Sequence, residues 1–392
     1  MANPVYIVSA ARTPIGAFQG ALAALKAPEL GAVAIRGALK RAGLSGDVIN
    51  EVFMGNVLSA GIGQAPARQA MIFADLPKSV PATTVGKVCG SGLQAVVFGA
   101  KTVALGDADL VIAGGMESMS NVPYYLEKAR TGYRMGDGKL VDGMIFDGLW
   151  DPYSNVHMGV CGDKCAKEYN FSREAQDEFA KESFRRALAA QKEGAFTAEI
   201  EAVSIAQKKG DAILVSQDEG PSKGDPTKFA GLRAAFSKDG TITAANASSI
   251  NDGASALVLA SEAAVKAHKL EPLARIVGYA NAAHDPEWFT TAPAKAIEAV
   301  CTKTGIAKDS IDLYEINEAF AVVAMACAQL TGVDLSRVNV RGGAVALGHP
   351  IGASGARVLT TLLHTMKDKN AKRGLATLCI GGGEAVALIV ER

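Results

Sequence analysis

The 392-residue chain lacks most of the features that mark a specialised protein class. It has no charge excess: Lys plus Arg and Asp plus Glu number 40 each, so no global field draws it to nucleic acid or to an acidic membrane. Its six cysteines lack the dense, paired spacing of a secreted disulfide scaffold. They read as reduced thiols, and the expected location is the cytoplasm. No window approaches 18 apolar residues, which argues against a membrane span. The opening "MANPVYIVSAARTPIG" has neither the charged-then-apolar layout of a signal peptide nor an Arg/Ser-rich amphipathic look.

What is present is apolar bulk and glycine. The chain is 49% hydrophobic and 20% charged, the balance of a globular protein with large cores. Its length allows about two or three domain-sized units. There are 42 glycines, and several cluster beside the residues able to do chemistry.

β-Rich apolar runs fall at 4–10, 51–58, 108–113, 256–260, 274–279, 311–316, 338–341, 374–380 and 385–390. Helical spacing fills 28–42, 91–105, 173–192, 293–304, 318–330 and 354–368. Alternation of this kind predicts an α/β fold with sheets buried between helices. Two internal echoes occur in the same order. Residues 35–56 match 297–317: a helix, a Gly stop (Gly43, Gly305), an Ile six residues on (Ile49, Ile311) and a strand ending at Asn. Residues 91–115 match 354–382: Ser-Gly, helix, strand, Gly pair. A duplicated unit explains both. The expected halves are 1–120 plus 250–270 and 271–392, with 121–249 a long loop insertion. Gly, Asp, Pro and Lys are frequent there, and such excursions usually carry binding surfaces.

Four polar positions stand at strand ends or helix mouths, the edge where open α/β sheets bind ligands. Cys89 sits in "KVCGSGLQA", where the helix mouth predicts a lowered thiol pKa and a nucleophile. Asn317 lies in "INEAF", His349 in "GGAVALGHPIGASGAR" and Cys379 in "LCIGGGEA". Each has a plain structural reading: helix cap, loop histidine, core thiol. Together, beside glycines that let a substrate approach backbone N–H groups, they suggest acyl chemistry with an oxyanion hole. His157, Cys161 and Cys165 have the four-residue spacing of zinc ligands on one helix face, but no fourth ligand is at hand, so no metal is expected.

Through these motifs the chain resembles the thiolases, most closely those that handle acetoacetyl thioesters. The similarity runs from "SAARTPIGAFQG" (9–20) through "VCGSGLQA", "GGMESMS", "HMG", "AANASSINDGA", "NEAF" and "GHPIGASGAR" to "CIGGG" (379–383). It implies a duplicated βαβαβαββ core in five α-β-α-β-α layers, with CoA binding and oligomerisation assigned to the insertion. It implies reversible Claisen condensation of two acetyl-CoA to acetoacetyl-CoA plus CoA, with coenzyme A as substrate rather than cofactor. By resemblance Cys89 is the nucleophile, His349 its base and Cys379 the second acid/base. Asn317 holds a water that forms one oxyanion hole with His349, and the N–H groups of Cys89 and Gly381 form the other. Leu149, His157, Met158, Lys223, Phe236, Ala244, Ser248, Phe289 and Phe320 match positions along the pantetheine and acyl tunnel. The bulk of Phe289 is expected to restrict chain length. Phe184 stands where a cation-binding branch has a tyrosine hydroxyl, which speaks against a potassium site. A homodimer or homotetramer is implied. The competing readings are a broader-chain 3-ketoacyl-CoA thiolase and a non-catalytic acyl-CoA binder.

Overall fold

A computed structural model describes residues 3–392. Its principal strands are β1 (Val5–Arg12), β2 (Glu51–Gly55), β3 (Ala82–Val85), β4 (Leu110–Ser118), β5 (Asn251–Ser261), β6 (Ala274–Ala283), β7 (Leu313–Ile316), β8 (Arg373–Ile380) and β9 (Glu384–Glu391). The principal helices are α1 (Ala27–Ala42), α2 (Pro66–Phe73), α3 (Ser91–Leu105), α4 (Met158–Glu168), α5 (Arg173–Lys192), α6 (Ala292–Thr304), α7 (Ala321–Thr331) and α8 (Ile351–Asp368).

The strands form one path, β7-β8-β9-β6-β1-β5-β4-β2-β3. Read outward from its middle, each side repeats the other. β1 pairs antiparallel with β5, β5 antiparallel with β4, and β4 parallel with β2. β6 pairs antiparallel with β9, β9 antiparallel with β8, and β8 parallel with β7. The counterpart of β3 is reduced to a single parallel bridge between Tyr314 and Val338, so the run expected as a strand at 338–341 is not one. Among the described residues, the two sides of the sheet pair at Tyr6↔Arg275 and Ile7↔Ala274.

Helices cover both faces of each half, so the inner strands β4, β5, β8 and β9 are buried without alternation. β8 (RGLATLCI) and β9 (EAVALIVE) are buried everywhere but at their ends. α1 and α2 pack outside the first half and α6 and α7 outside the second. α3 and α8 lie back to back in the middle, giving the five layers. Every residue of α8 from Ile351 to Met366 is buried. The Ser-Gly echo marks where these two helices meet. A Cβ on Gly355 would stand 2.2 Å from the Leu93 amide nitrogen, so only glycine permits the approach. Val88–Leu105 is long and on average apolar enough to cross a membrane, though Ser91, Gln94, Lys101 and Thr102 interrupt it, so it is not an unbroken apolar run. Its apolarity is that of a central core helix, whose residues fill the space between the two half-sheets.

Between β4 and β5 the chain carries α4, α5 and short two-stranded ribbons such as Val203–Ile205 with Ile213–Val215. Arg12, fully buried on β1, ties this segment down. Its Nε donates to Glu199 at 2.6 Å, and its two terminal nitrogens reach Asp218 at 2.7 and 2.9 Å. Removing one partner of such a pair leaves an uncompensated buried charge, costing about 3–5 kcal/mol.

Candidate active site

β3 ends at Val85, and a single tight turn, Val88–Gly90, leads into α3. Val88 has φ of +42°, a costly conformation for a β-branched residue, and it presents Cys89 at the turn. The turn is pressed against the end of β8: a Cβ on Gly90 would lie 2.4 Å from Ile380 Cδ1. The β8–β9 turn that follows, Gly381–Gly383, has φ of +90° at Gly382 and +82° at Gly383. The His284 amide donates to the Gly383 carbonyl at 2.9 Å and holds that turn in place. In this arrangement the backbone N–H groups of Gly381 and Cys89 lie near enough to the Cys89 sulfur to pull its pKa down.

The sequence predicts a lowered pKa for Cys89, and here the structure differs. Desolvation pushes the thiol up to about 11, against the pull of those two N–H groups. A helix N-terminus contributes roughly 0.3–1 kcal/mol, less than one pH unit, and the surrounding protein outweighs it. Cys89 is half-buried because one side faces a cavity. Cys379 is fully buried one residue from the end of β8. Burial raises its pKa, and the ionising neighbour that raises it most is Cys89; with Gly90 pressed against Ile380, the two sulfurs from opposite halves share one locale.

His349 follows Gly348, whose φ is +106°. Its backbone N–H donates to Asn251 Oδ1 at 2.9 Å. Its ring Nδ1 lies 2.5 Å from Ser354 Oγ, and Nε2 lies 3.4 Å from Asn317 Nδ2. Burial, with the charge of Arg357 second, pushes the imidazole down to about 3. It is therefore neutral at ordinary pH and able to take a proton. Asn317 is fully buried at the end of β7, and its Oδ1 has no partner among the described residues. α8 begins at Ile351, one turn before the expected Ser354. Glu117 Oε2 accepts the Gly352 N–H at 2.9 Å and so closes the first turn of α8.

Cys89, His349 and Gly381 line a cavity of about 630 Å³. Leu149, His157, Met158, Lys223, Phe236, Ala244, Ser248, Phe289 and Phe320 line it too, whereas Asn317 and Cys379 lie just behind its surface. The aromatic wall is continuous. His157 stacks on Phe236 with centroids 4.4 Å apart; Phe236 meets Phe320 edge-on at 6.2 Å, and Phe320 meets Phe289 at 6.4 Å. Gly159 makes room for Phe236, since a Cβ there would fall 2.1 Å from the ring. Phe18, Met119, Ser249, Ile250 and Ile351 also line the cavity and were not singled out from the sequence. They are ordinary apolar or small residues, and only the fold brings them to the wall.

His157 Nδ1 accepts the Gly159 N–H at 3.1 Å and caps α4, while Cys161 and Cys165 are buried core thiols. Among the described residues no group of three or more His, Cys, Asp or Glu is arranged to hold a metal. Phe184 packs edge-on against Phe229 at 5.4 Å and presents a hydrocarbon ring.

A cavity lined by one thiol and a neutral imidazole, with a second thiol behind its wall, suits thioester chemistry. Family models carry the same message: the thiolase N-terminal domain matches residues 5–263 and the thiolase C-terminal domain matches 270–392. The chain belongs to the thiolase family. An acetyl-CoA acetyltransferase of Cupriavidus necator is 55% identical over 389 residues, covering 99% of each chain. Acetyl-CoA acetyltransferase 2 of Arabidopsis thaliana is 52% identical, covering 99% of this chain and 98% of its own. A Gibberella zeae protein named as a cytosolic acetyl-CoA acetyltransferase is 49% identical, covering 100% and 99%.

Proposed function

We propose that the protein is an acetyl-CoA C-acetyltransferase, which joins two acetyl-CoA into acetoacetyl-CoA plus CoA and runs the reverse thiolysis, through an acetyl group carried on Cys89. The observation that carries this reading is the meeting of Cys89 and Cys379, from opposite halves, with a neutral His349 beside one cavity. Full-length relatives named acetyl-CoA acetyltransferase support the same substrate.

His349 Nε2 takes the Cys89 proton as sulfur attacks the acetyl carbonyl. The oxyanion is assigned to the backbone N–H groups of Cys89 and Gly381, which both act on the sulfur. The C–S bond to CoA breaks, and Cys379, a thiol at rest, gives its proton to the departing CoA sulfur. Cys379 is then a thiolate and removes an α proton from the second acetyl-CoA. The enolate oxygen is met by the now protonated Nε2 and by a water held at Asn317, whose buried Oδ1 is free to bind one. The α carbon attacks the acetyl carbonyl, a C–C bond forms, and the Cys89 sulfur leaves and recovers its proton from His349. All three groups end as they began. Coenzyme A thioesters suffice as partners, with no further cofactor.

Phe289, closing the aromatic wall, limits the acyl chain to acetoacetyl length. Two or four copies assemble, because Tyr124, Leu126, Met135, Leu140 and Phe146 expose apolar side chains that a second copy covers. Sedimentation showing only monomer would refute that assembly. The relative named cytosolic supports a cytoplasmic location. The central test is incubation with acetyl-CoA followed by intact-mass measurement. One acetyl group is expected on Cys89, absent from Cys89→Ala, together with thiolysis that falls off beyond acetoacetyl-CoA. An unacetylated wild-type protein would favour a non-catalytic binder, and equal rates on long 3-ketoacyl chains would favour a broader-chain thiolase.

A further inference from the structure

We infer that Ser354 is a positioning residue: its hydroxyl fixes the His349 imidazole in the tautomer whose Nε2 lone pair faces the cavity. What that lone pair does rests on the acyl-transfer reading above; the tautomer does not.

The argument is one of proton bookkeeping. Ser354 Oγ lies 2.9 Å from the Pro350 carbonyl and 2.5 Å from His349 Nδ1. A carbonyl only accepts, so the single hydroxyl proton goes to Pro350. The shorter contact is then carried by Nδ1–H donating to the serine oxygen. Nε2 is left as an acceptor, and the Asn317 amide nitrogen at 3.4 Å, a donor, faces it in agreement. Ser354 is fully buried on the first turn of α8 and the ring is 5% exposed, so no solvent competes for either nitrogen.

The partner's chemistry matters as much as its position. Histidine bases of hydrolytic triads are held at Nδ1 by a carboxylate, which also stabilises the imidazolium. A neutral hydroxyl orients the ring without that stabilisation. Among the groups touching the ring none is acidic, and the charge that acts on it is Arg357, a cation on the same helix. The design holds a base in the correct direction and keeps it unprotonated until sulfur supplies the proton.

¹⁵N-histidine-labelled protein tests this directly, with five histidines to resolve and His349→Gln to assign the signal. The wild type should show His349 with a protonated Nδ1 and an unprotonated Nε2. Ser354→Ala should mix the tautomers and lower kcat for thiolysis on the order of 10- to 100-fold, with KM for acetoacetyl-CoA within about 2-fold. Ser354→Thr, which keeps the oxygen, should restore the tautomer. A protonated Nε2 in the wild type overturns the proposal. So does a Ser354→Ala protein with unchanged tautomer and kcat, or one whose kcat loss comes with an equal rise in KM. Should Ser354→Ala not fold, the wild-type spectrum alone decides. Absence of acetyl-Cys89 in the wild type sinks the acyl-transfer reading and leaves this spectrum to judge Ser354 by itself.

Discussion

The mouths of α3 and α8 start from the same Ser-Gly pair and end with different chemistry. At α3, Ser91 Oγ accepts the Lys87 N–H at 2.8 Å and donates to the Val88 carbonyl at 2.7 Å, so the hydroxyl is spent on backbone. That closed turn displays a nucleophile. At α8 the equivalent hydroxyl also donates to backbone, but its lone pair is turned to an imidazole. The helix begins a turn earlier, and the turn presents a base. Duplication supplied two alike scaffolds, and the residues in each capping turn divided the labour. Neither mouth is complete alone: Gly381 in the second half shares the cavity with the sulfur of the first and pulls its pKa down.

The sharpest way to break this comparison is to remove the group that belongs to neither mouth. Cys379→Ser should still take acetyl onto Cys89 but lose condensation by about 10²–10⁴-fold, because a serine hydroxyl is too weak a base to remove an α proton. Measuring adduct formation and acetoacetyl-CoA production on one sample checks this, and parallel loss of both would give Cys379 a structural role instead. The resting charge of the pair comes next. With the thiol near 11 and the imidazole near 3, raising pH ionises sulfur without passing through an ion pair. Iodoacetamide alkylation of Cys89 should therefore rise about tenfold per unit between roughly pH 7 and 10. A plateau across that range would mean a thiolate–imidazolium pair at rest. The smallest effect is expected at Ser91. Ser91→Ala should cost about 1–2 kcal/mol of stability in a denaturant melt while leaving the His349 tautomer as it was. A tautomer change there would show the two mouths to be coupled.

The chemistry was more legible than its electrostatics. Cys89, His349 and Cys379 announce themselves as unusual side chains among glycines, whatever their distance in the chain. The pKa of Cys89 did not, because sequence displays a helix mouth and hides the protein packed around it. Strand limits failed where polar residues are buried. The expected runs 108–113 and 256–260 leave out "GGMES" and "NDGAS", yet these extend β4 and β5 as a paired run from Asp252↔Ser118 to Ala260↔Leu110. Their polar atoms find partners inside: Asp252 Oδ2 accepts Ser120 Oγ at 2.6 Å, and Ser255 Oγ donates to the Ala11 carbonyl at 3.0 Å. β3 was missed because ATTV is short and lies at the sheet edge, and α2 because it is brief and opens on a proline. The expected strand at 338–341 has the right letters, but it leaves β7 after Tyr314↔Val338: Asn339 turns to φ +46°, and its side-chain amide accepts the Ile316 backbone N–H and donates to the Ile316 carbonyl.

Gly355 against the Leu93 amide has a consequence for how this enzyme can vary. The gap between nucleophile and base is metered by main chain resting on main chain, with no side chain between them to trim or lengthen. Cavity walls can drift and change what enters, while the reactive centre keeps its gauge. Diversity in such a protein is confined to the lining, and the crossing admits almost none.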